Sequence, residues 1–575
     1  MDTFAKLRFF SERMSQLLAR HPETVDIAHL VLEHISTINN NRRFKVAITG
    51  TMKQCKSTLI CALVGRSFPT VGVNETTATL NYFNYGEDLN RLVVDWKDNS
   101  GRDTEYTLDF LNQIQGQQGR ALAAQINSVS LFSDAEFLKN VQLIDTPGQM
   151  GTHIEALDVE ADALIRVLGS VATGRDQKGL AEFSNKTNYF GAKSYNTIAV
   201  MQMWEEKWPT NAREKSLDPL ALDPFEAAIK RAQIEHGILG DSVTGVVPVS
   251  GLLALASNLL SDTCLNEVLE VTRDVSISRN NLISLLDQGE EAFLDEDCAG
   301  WSLESRNALN QELKRSLDFQ KAASWPTFKM MIWAAYHYQP NNAHELASKL
   351  YDMSNLEGLK ELLDKRFFAR SRLIQTGGEL NTALSYCDKA LQLLRNKRNH
   401  DEKIQANAIS CLQALREIPT TDISRKVIQQ YVEATQDLLE NNFSWNWETC
   451  ENVTELKIDI ETNFHALEKE TAALNLLEGM SSNEFFIEAR RILGGYGIEI
   501  YERLGCSPNA PIETLKTTAW QLLSGWRSAR QYIRFDIKDA VLERLEMILE
   551  DMDKAPLLHS HTHEIVTEIN YTRSA

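Results

Sequence analysis

The sequence predicts an α/β domain with a mostly parallel sheet and flanking helices, joined to an extended all-α region. Two largely apolar runs, Phe44–Thr49 and Val141–Asp145, are typical of buried parallel strands. A helical run, Ser57–Leu63, follows the first of them after a short loop. Between Pro340 and Pro508 the only proline is Pro419, so helix formers continue almost without interruption.

Composition excludes several classes of protein. The 575 residues are 43% apolar and 24% charged, as in ordinary globular chains. A net charge of −20 opposes a nucleic-acid partner held through its phosphates. The start lacks the pattern of a secretory signal, and no apolar stretch reaches the length of a membrane span. Eight scattered cysteines indicate reduced thiols, so we expect a cytoplasmic protein.

The loop after the first strand has the pattern of a phosphate-binding loop. Residues Gly50–Ser57 follow Gly-x-x-x-x-Gly-Lys-Ser except that Cys55 replaces the second glycine. Such a loop turns its amide groups towards an anion at a helix N-terminus. In this pattern Lys56 faces the β- and γ-phosphates, and the Ser57 hydroxyl binds Mg²⁺.

Cys55 has two consequences. The glycine position favours a positive φ, where a Cβ atom costs ~1–2 kcal/mol, so we expect weak nucleotide binding. A thiol at a helix N-terminus beside Lys56 should also have a lowered pKa and be oxidisable. The alternative is a tolerated substitution without a redox role.

Two further segments complete the nucleotide signal. The second strand ends in Asp145-Thr-Pro-Gly148, where the Asp reaches Mg²⁺ through water and the Gly amide can bond a γ-phosphate. Between the two strands lies a hydroxyl-rich loop, residues 69–79. A threonine there can close over Mg²⁺ and the γ-phosphate, and Thr77 is favoured over Thr76.

Together these motifs resemble the GTPase domain of the bacterial dynamin-like proteins. The residues that carry the resemblance are Gly50, Lys56, Ser57, Pro69, Thr77, Asp145, Pro147 and Gly148. The resemblance covers roughly residues 44–251. It implies an α/β P-loop GTPase head on an all-α neck and trunk bundle, with self-association through the heads and usually membrane remodelling.

The resemblance also implies roles for individual residues. By this resemblance the catalytic residues would be Lys56, Lys53 and Thr77. The ligands of Mg²⁺ would be Ser57, Thr77 and Asp145. Contacts with GTP would come from Gly50, Gln54, Cys55, Lys56, Ser57, Thr58 and Gly148. Lys53 stands where dynamins commonly have a serine that helps to hold a monovalent cation, and its ammonium group could replace that charge. The alternative for Lys53 is a solvated side chain beside the loop.

The base-reading motif departs from the family pattern. Where Asn/Thr-Lys-x-Asp is expected after the strand 196–201, the chain has Gln202-Met203-Trp204-Glu205. Gln202 keeps the amide of Asn and Glu205 keeps the carboxylate of Asp, each on a side chain one methylene longer. Met203 replaces the lysine. Looser geometry should reduce guanine affinity and selectivity. Ser250 would lie near the base, although its segment is equally compatible with a buried strand and turn.

The remaining residues are predicted to be helical. We expect neck helices at 1–40, the head at 41–365, a trunk at 366–511 and returning helices at 512–575. Apolar stripes on the long helices should be core faces. Phe443, Trp445 and Trp447 fall at the predicted trunk tip, 441–450. They suggest a membrane or partner contact, or else a cluster that closes the bundle.

The leading hypothesis is a dynamin-like GTPase that remodels membranes, with weak nucleotide handling. Its position would be cytoplasmic or peripheral at the inner membrane, and GTP and Mg²⁺ would be its cofactors. The alternative is a degenerate, non-hydrolysing scaffold that works with a second dynamin-like protein. Cys55 and the altered base motif favour this alternative, whereas Lys56, Ser57, Thr77 and Asp145 oppose it.

Overall fold

The computed structural model forms two compact units. The head is Arg43–Ser371, and the helical unit combines Met1–Arg42 with Arg372–Ala575. The structure describes residues 3–20, 22–37, 42–50, 55–66, 80–97, 104–114, 121–122, 124–146, 161–168, 172–187, 196–202, 204, 219–273, 304, 307, 311, 324–417, 422–441, 447–478, 480, 483–529 and 533–572.

The described part of the head contains one nine-stranded sheet. Its strands are β1 (Phe44–Thr49), β2 (Leu80–Tyr85), β3 (Arg91–Trp96), β4 (Thr104–Thr107), β5 (Ile126–Ser133), β6 (Val141–Asp145), β7 (Ala163–Leu168), β8 (Thr197–Met201) and β9 (Val246–Pro248). Their order across the sheet is β4-β3-β5-β2-β6-β1-β7-β8-β9.

The central strands are parallel, which confirms the predicted mostly parallel sheet. β1 pairs in parallel with β6 and β7, and β8 pairs in parallel with β7 and β9. β2 is parallel to β5 but antiparallel to β6, and β3 is antiparallel to both neighbours. The carboxyl ends of β1, β6, β7 and β8 therefore meet at one edge, where ligands of α/β proteins bind.

Helices flank this sheet. Numbered along the chain after α1 (Thr3–Leu18) and α2 (Val25–Thr37) of the helical unit, they are α3 (Lys56–Val64), α4 (Phe110–Gln113), α5 (Gly174–Thr187), α6 (Pro224–Leu239), α7 (Gly251–Leu259), α8 (Asp262–Arg273), α9 (Ser324–Tyr338), α10 (Ala343–Ser354) and α11 (Leu356–Leu363). A π-helical turn, Asp364–Phe368, follows α11. The aromatic helix α9 is packed into the head, since Phe328, Met331 and Trp333 are all buried.

The helical unit is all α in its described residues. Besides α1 and α2 it contains α12 (Ser371–Glu417), α13 (Asp422–Asn441), α14 (Trp447–Glu478), α15 (Glu484–Ile492), α16 (Ile500–Leu504), α17 (Ile512–Ser528) and α18 (Phe535–Thr572). The N-terminal helix and the C-terminal helix meet, because Lys6 Nζ lies 2.6 Å from Asp551 Oδ1. Among the described helices, none combines the length and apolarity needed to cross a bilayer.

The apolar stripe predicted as a core face on α14 is buried, whereas those on α12 and α13 are largely exposed, with Leu412 of α12 buried. The stripe of α1 is buried (Leu7, Phe10, Met14, Leu17), and so is that of α14 (Val453, Leu456, Ile460, Phe464, Leu467, Leu474). By contrast, Ile404 and Ile409 on α12 are 37% and 45% exposed, and Tyr431 on α13 is 63% exposed. The helical period groups these residues on a face, but the fold does not cover that face.

Candidate functional site

The site lies where β1 ends and α3 begins. Thr49 closes β1, Gly50 is buried directly after it, and α3 starts at Lys56. In the parallel pairing of β1 with β6, Ile48 is level with Asp145. The loop, the start of the helix and the carboxylate therefore share the carboxyl edge of the sheet.

Cys55 adopts the strained conformation that the motif predicts. Its φ and ψ are 56° and 33°, in the left-handed region, and it stands directly before the first residue of α3. Only Gly enters this region without a steric cost, which confirms the expectation of a positive φ here. The residue is also buried, at 8% exposure, so its side chain occupies space inside the site.

Lys56 points back into the loop. Its Nζ donates a hydrogen bond to the Gly50 carbonyl at 3.2 Å, and the residue is only 7% exposed. Burial lowers the pKa of Lys56, Asp145 acts in the opposite direction, and Arg166 lowers the pKa further. An ammonium group held among buried charges in this way is suited to meet a phosphate.

Ser57 and Asp145 form the pair expected to hold Mg²⁺. Ser57 Oγ donates to Asp145 Oδ2 at 3.1 Å, while Asp145 Oδ1 is buried without a hydrogen-bond partner among the described residues. Burial raises the pKa of Asp145 to about 6, and Lys56 and Ser57 oppose that shift. A hydroxyl and a carboxylate fit Mg²⁺, which otherwise takes water and phosphate oxygens.

The described part of the chain contains no group of three His, Cys, Asp or Glu side chains that could hold a metal ion. When bound, Mg²⁺ would neutralise charge on the phosphates, and Ser57 and Asp145 would hold it.

The residues expected near the base are packed closely against the start of α7 and against α3. Gln202 Oε1 accepts a hydrogen bond from Gly251 N at 3.1 Å, which fixes the orientation of the amide. Gly251 lies against Thr58, because a Cβ at Gly251 would be 3.2 Å from the Thr58 backbone. Ser250 is fully buried, and its Oγ caps α7 by accepting from Leu253 N.

These contacts give Ser250 and Thr58 structural roles. Their contacts with nucleotide stay predictions. The Gln202 Nε2 donor is buried and has no hydrogen-bond partner within the described part of the chain, so one polar group of the altered motif is unsatisfied there. Trp204 of the same motif is buried, with its ring 6.1 Å from that of Phe225. The segment after β8 is therefore anchored by an aromatic contact to α6.

Several predicted site residues lie outside the described part of the structure: Lys53, Gln54, Thr76, Thr77, Pro147, Gly148, Met203, Glu205, Phe443 and Trp445. Trp447 begins α14, but only its backbone is described. The roles assigned to all of these remain predictions.

One charged pair at this edge was not anticipated from the motifs. Arg166 on β7 and Asp176 on α5 form an ion pair of 2.9 Å, and their side chains are 2% and 0% exposed. The available signal was a single Arg inside the apolar run Ala163–Leu168, which requires a buried counter-charge.

A strand, a loop with a left-handed turn, a buried lysine and a Ser–Asp pair define a P-loop nucleotide-binding domain. Residues 46–164, which include these groups, match the Dynamin family. This segment of the head is therefore similar to the Dynamin family, and an all-helical region follows the head in the described part of the chain. No curated protein sequence matches the chain.

Three solved structures are similar to parts of this chain. Two belong to an oligomerised bacterial dynamin pair, described as providing long-range sensing and tethering of membranes. They are 14% and 15% identical, with TM-scores of 0.30 and 0.25. The matches cover 81% and 85% of this chain, and 92% and 77% of theirs.

The third structure is the G domain of the T. maritima FeoB iron transporter. It is 17% identical with a TM-score of 0.17, and the match covers 37% of this chain and 89% of that one. Similarities of this size carry no argument about function.

Proposed function

We propose that this chain is a dynamin-like GTPase in which GTP binding and hydrolysis are coupled to self-association of heads and to membrane remodelling. The observation that supports this proposal best is the Lys56, Ser57 and Asp145 constellation at the ends of β1 and β6, within the segment that matches the Dynamin family. In length and layout the chain also resembles LeoA, and that finer likeness is part of the proposal.

The proposed mechanism is one of positioning and charge neutralisation. Lys56 would leave the Gly50 carbonyl to bind the terminal phosphates, and Ser57 and Asp145 would hold Mg²⁺. Thr77 and the Gly148 amide complete the phosphate contacts by the sequence pattern. Gln202 offers its unsatisfied Nε2 donor to the base. Because dynamin-type heads complete their sites by pairing, a single head should be slow.

Titration calorimetry with GTP, GDP and ATP tests the nucleotide part of the proposal. We expect binding that prefers GTP and requires Mg²⁺ in the native chain, and none in Lys56→Ala with unchanged helical content by circular dichroism. Lys139→Ala is the matched control, because Lys139 is an exposed lysine that pairs with Glu136 just before β6. Equal GTP binding by the Lys56→Ala protein would exclude this loop as the phosphate site.

A second candidate is a non-hydrolysing scaffold that works with another dynamin-like protein. The left-handed Cys55 favours it, because a side chain now fills a position where the loop approaches phosphate. Phosphate release separates the two candidates: the GTPase should release phosphate faster as protein concentration rises and heads pair. A protein that binds GTP yet releases no phosphate at any concentration would be the scaffold.

A further inference from the structure

The buried pair of Arg166 and Asp176 stands at the same sheet edge as the phosphate loop. β1 and β7 are paired so that Arg166 is level with Thr49, the residue before Gly50. Its guanidinium Nη1 lies 3.4 Å from Thr49 Oγ1. The Arg166 side chain therefore adjoins the strand end from which the loop departs.

The pair is held in one orientation. Arg166 Nε and Nη2 both donate to Asp176 Oδ1, at 3.1 and 2.9 Å. The other carboxylate oxygen accepts from Thr173 N and Thr173 Oγ1, at 2.9 and 2.6 Å, at the start of α5. Asp176 thus lies on the α5 side, and the Nη1 group of the cation lies beside Thr49 of β1, with the guanidinium also close to Gly179 of α5.

The positive charge of Arg166 reaches the site. Arg166 is level with Thr49, and the next residue, Gly50, accepts the hydrogen bond from Lys56 Nζ at 3.2 Å. Each of the two cations has a buried carboxylate on one side, Asp176 for Arg166 and Asp145 for Lys56, so an incoming phosphate adds a second negative partner. Stability alone does not explain the pair, because apolar residues of similar volume often serve a fold equally well.

We propose that Arg166 is a positioning residue of the nucleotide site, a second fixed cation that holds the Thr49–Gly50 strand end and strengthens triphosphate binding. Asp176 anchors it in place. The inference rests on the proposed nucleotide function of the head, and it concerns residues outside the phosphate-loop pattern.

The test separates the charge of Arg166 from the stability of the fold. Arg166→Met alone leaves Asp176 as an unpaired buried carboxylate and should destabilise the head. The double variant Arg166→Met with Asp176→Asn removes both charges and keeps an acceptor for Thr173. It should unfold in urea near the native midpoint, yet bind GTP roughly tenfold more weakly. The loss for GDP should be smaller, because GDP carries less charge.

Two further variants make the result decisive. Arg166→Lys keeps a cation and should retain most of the GTP affinity. The matched control is Arg231→Met with Glu235→Gln on α6, which removes an ion pair of 2.9 Å whose Glu is 1% exposed. This control should leave GTP affinity unchanged.

The outcomes also separate this inference from the proposed function. If the native chain binds GTP and the Arg166/Asp176 double variant binds it equally well, Arg166 is only structural. A loss of the same size in the Arg231/Glu235 control would likewise overturn the assignment. If the native chain binds no nucleotide, the proposed function and this inference fail together.

Discussion

At the scale of single residues, Cys55 places backbone strain in the turn that leads into α3. Its left-handed φ and ψ belong to the fold of the head itself. The steric cost of a Cβ in that region, ~1–2 kcal/mol, is therefore present in free and bound protein alike. It reduces the stability of the fold, whereas nucleotide affinity is affected only by the space that the side chain occupies.

Cys55→Gly should consequently change two quantities. Relief of the backbone strain stabilises the folded state, and the greater backbone freedom of Gly in the unfolded chain offsets part of that gain. The net free energy of unfolding should rise by up to about 1 kcal/mol. Removal of the buried thiol should also tighten GTP binding, as measured by calorimetry. Gln339→Gly is the control, because Gln339 is exposed with a φ of 50° and lies far along the chain.

The control should gain stability and keep its GTP affinity. Unchanged or weaker GTP binding by Cys55→Gly would show that the thiol does not crowd the phosphate.

Asp145 predicts a dependence on pH. Burial raises its pKa from 3.8 to about 6 in the absence of metal, so the folded protein binds more protons than the unfolded chain between those values. The free energy of unfolding contributed by this group is therefore highest below pH 3.8 and falls as pH rises to about 6. Binding of Mg²⁺ with GTP is favoured by the ionised carboxylate, so it should strengthen over the same rise and release a proton.

Calorimetry in buffers of different ionisation enthalpy measures that proton. Near pH 6 the native protein should release about half a proton more than Asp145→Asn. The difference between the two proteins removes the titration of the terminal phosphate itself. Equal release by both would mean that Asp145 does not ionise on binding.

The residue scale also shows what sequence can and cannot predict. The left-handed turn at Cys55 was predictable, because the motif assigns that position to glycine. The Ser57–Asp145 contact followed from two strands that end at one edge. The Arg166–Asp176 pair was not predicted, because it depends on how α5 packs on β7 and belongs to no motif.

At the scale of elements, apolar periodicity predicted faces but not their partners. The stripe of α14 is core, whereas Ile404, Ile409 and Tyr431 on α12 and α13 remain exposed. A helical period records which side chains share a face. Whether that face is covered depends on distant segments, which the local pattern does not contain.

A buried cluster of charged side chains connects helices α14, α16 and α18. The Glu470 carboxylate is 1% exposed and accepts hydrogen bonds from Arg503 Nη1 and Nη2 at 3.0 and 3.1 Å. It also accepts a hydrogen bond from Arg544 Nε. Glu470→Ala would leave two buried guanidinium groups without their carboxylate. We expect it to lower the free energy of unfolding by about 3–5 kcal/mol, measured by urea denaturation.

Lys469→Ala is the control one residue away. Lys469 also bridges to α18, with Nζ 2.5 Å from Glu543, but its side chain is 51% exposed. Such a surface pair contributes about 0–1 kcal/mol. Similar losses in both variants would show that burial does not distinguish the two bridges.

At the scale of the whole molecule, charge limits how the protein can meet a membrane. With a net charge of −20, attraction to anionic lipid is weak overall, so any contact must rest on apolar and aromatic side chains. Phe443, Trp445 and Trp447 provide three aromatic residues within five positions, between α13 and the body of α14. Tryptophan is favoured at the boundary between lipid and water.

We therefore predict that these aromatics form the membrane or partner contact of the helical unit. On liposomes the tryptophan emission should shift to the blue, and the shift should survive raised salt, because screening weakens only charge contacts. The variant with Phe443, Trp445 and Trp447 all changed to Ala should fold with native helical content and no longer sediment with liposomes. Changing the exposed Trp520 of α17 to Ala is the matched control, since it removes a tryptophan that is 57% exposed and should leave sedimentation intact. Loss of folding in the triple variant would place the cluster in the core, and unchanged sedimentation would place the contact elsewhere on the molecule.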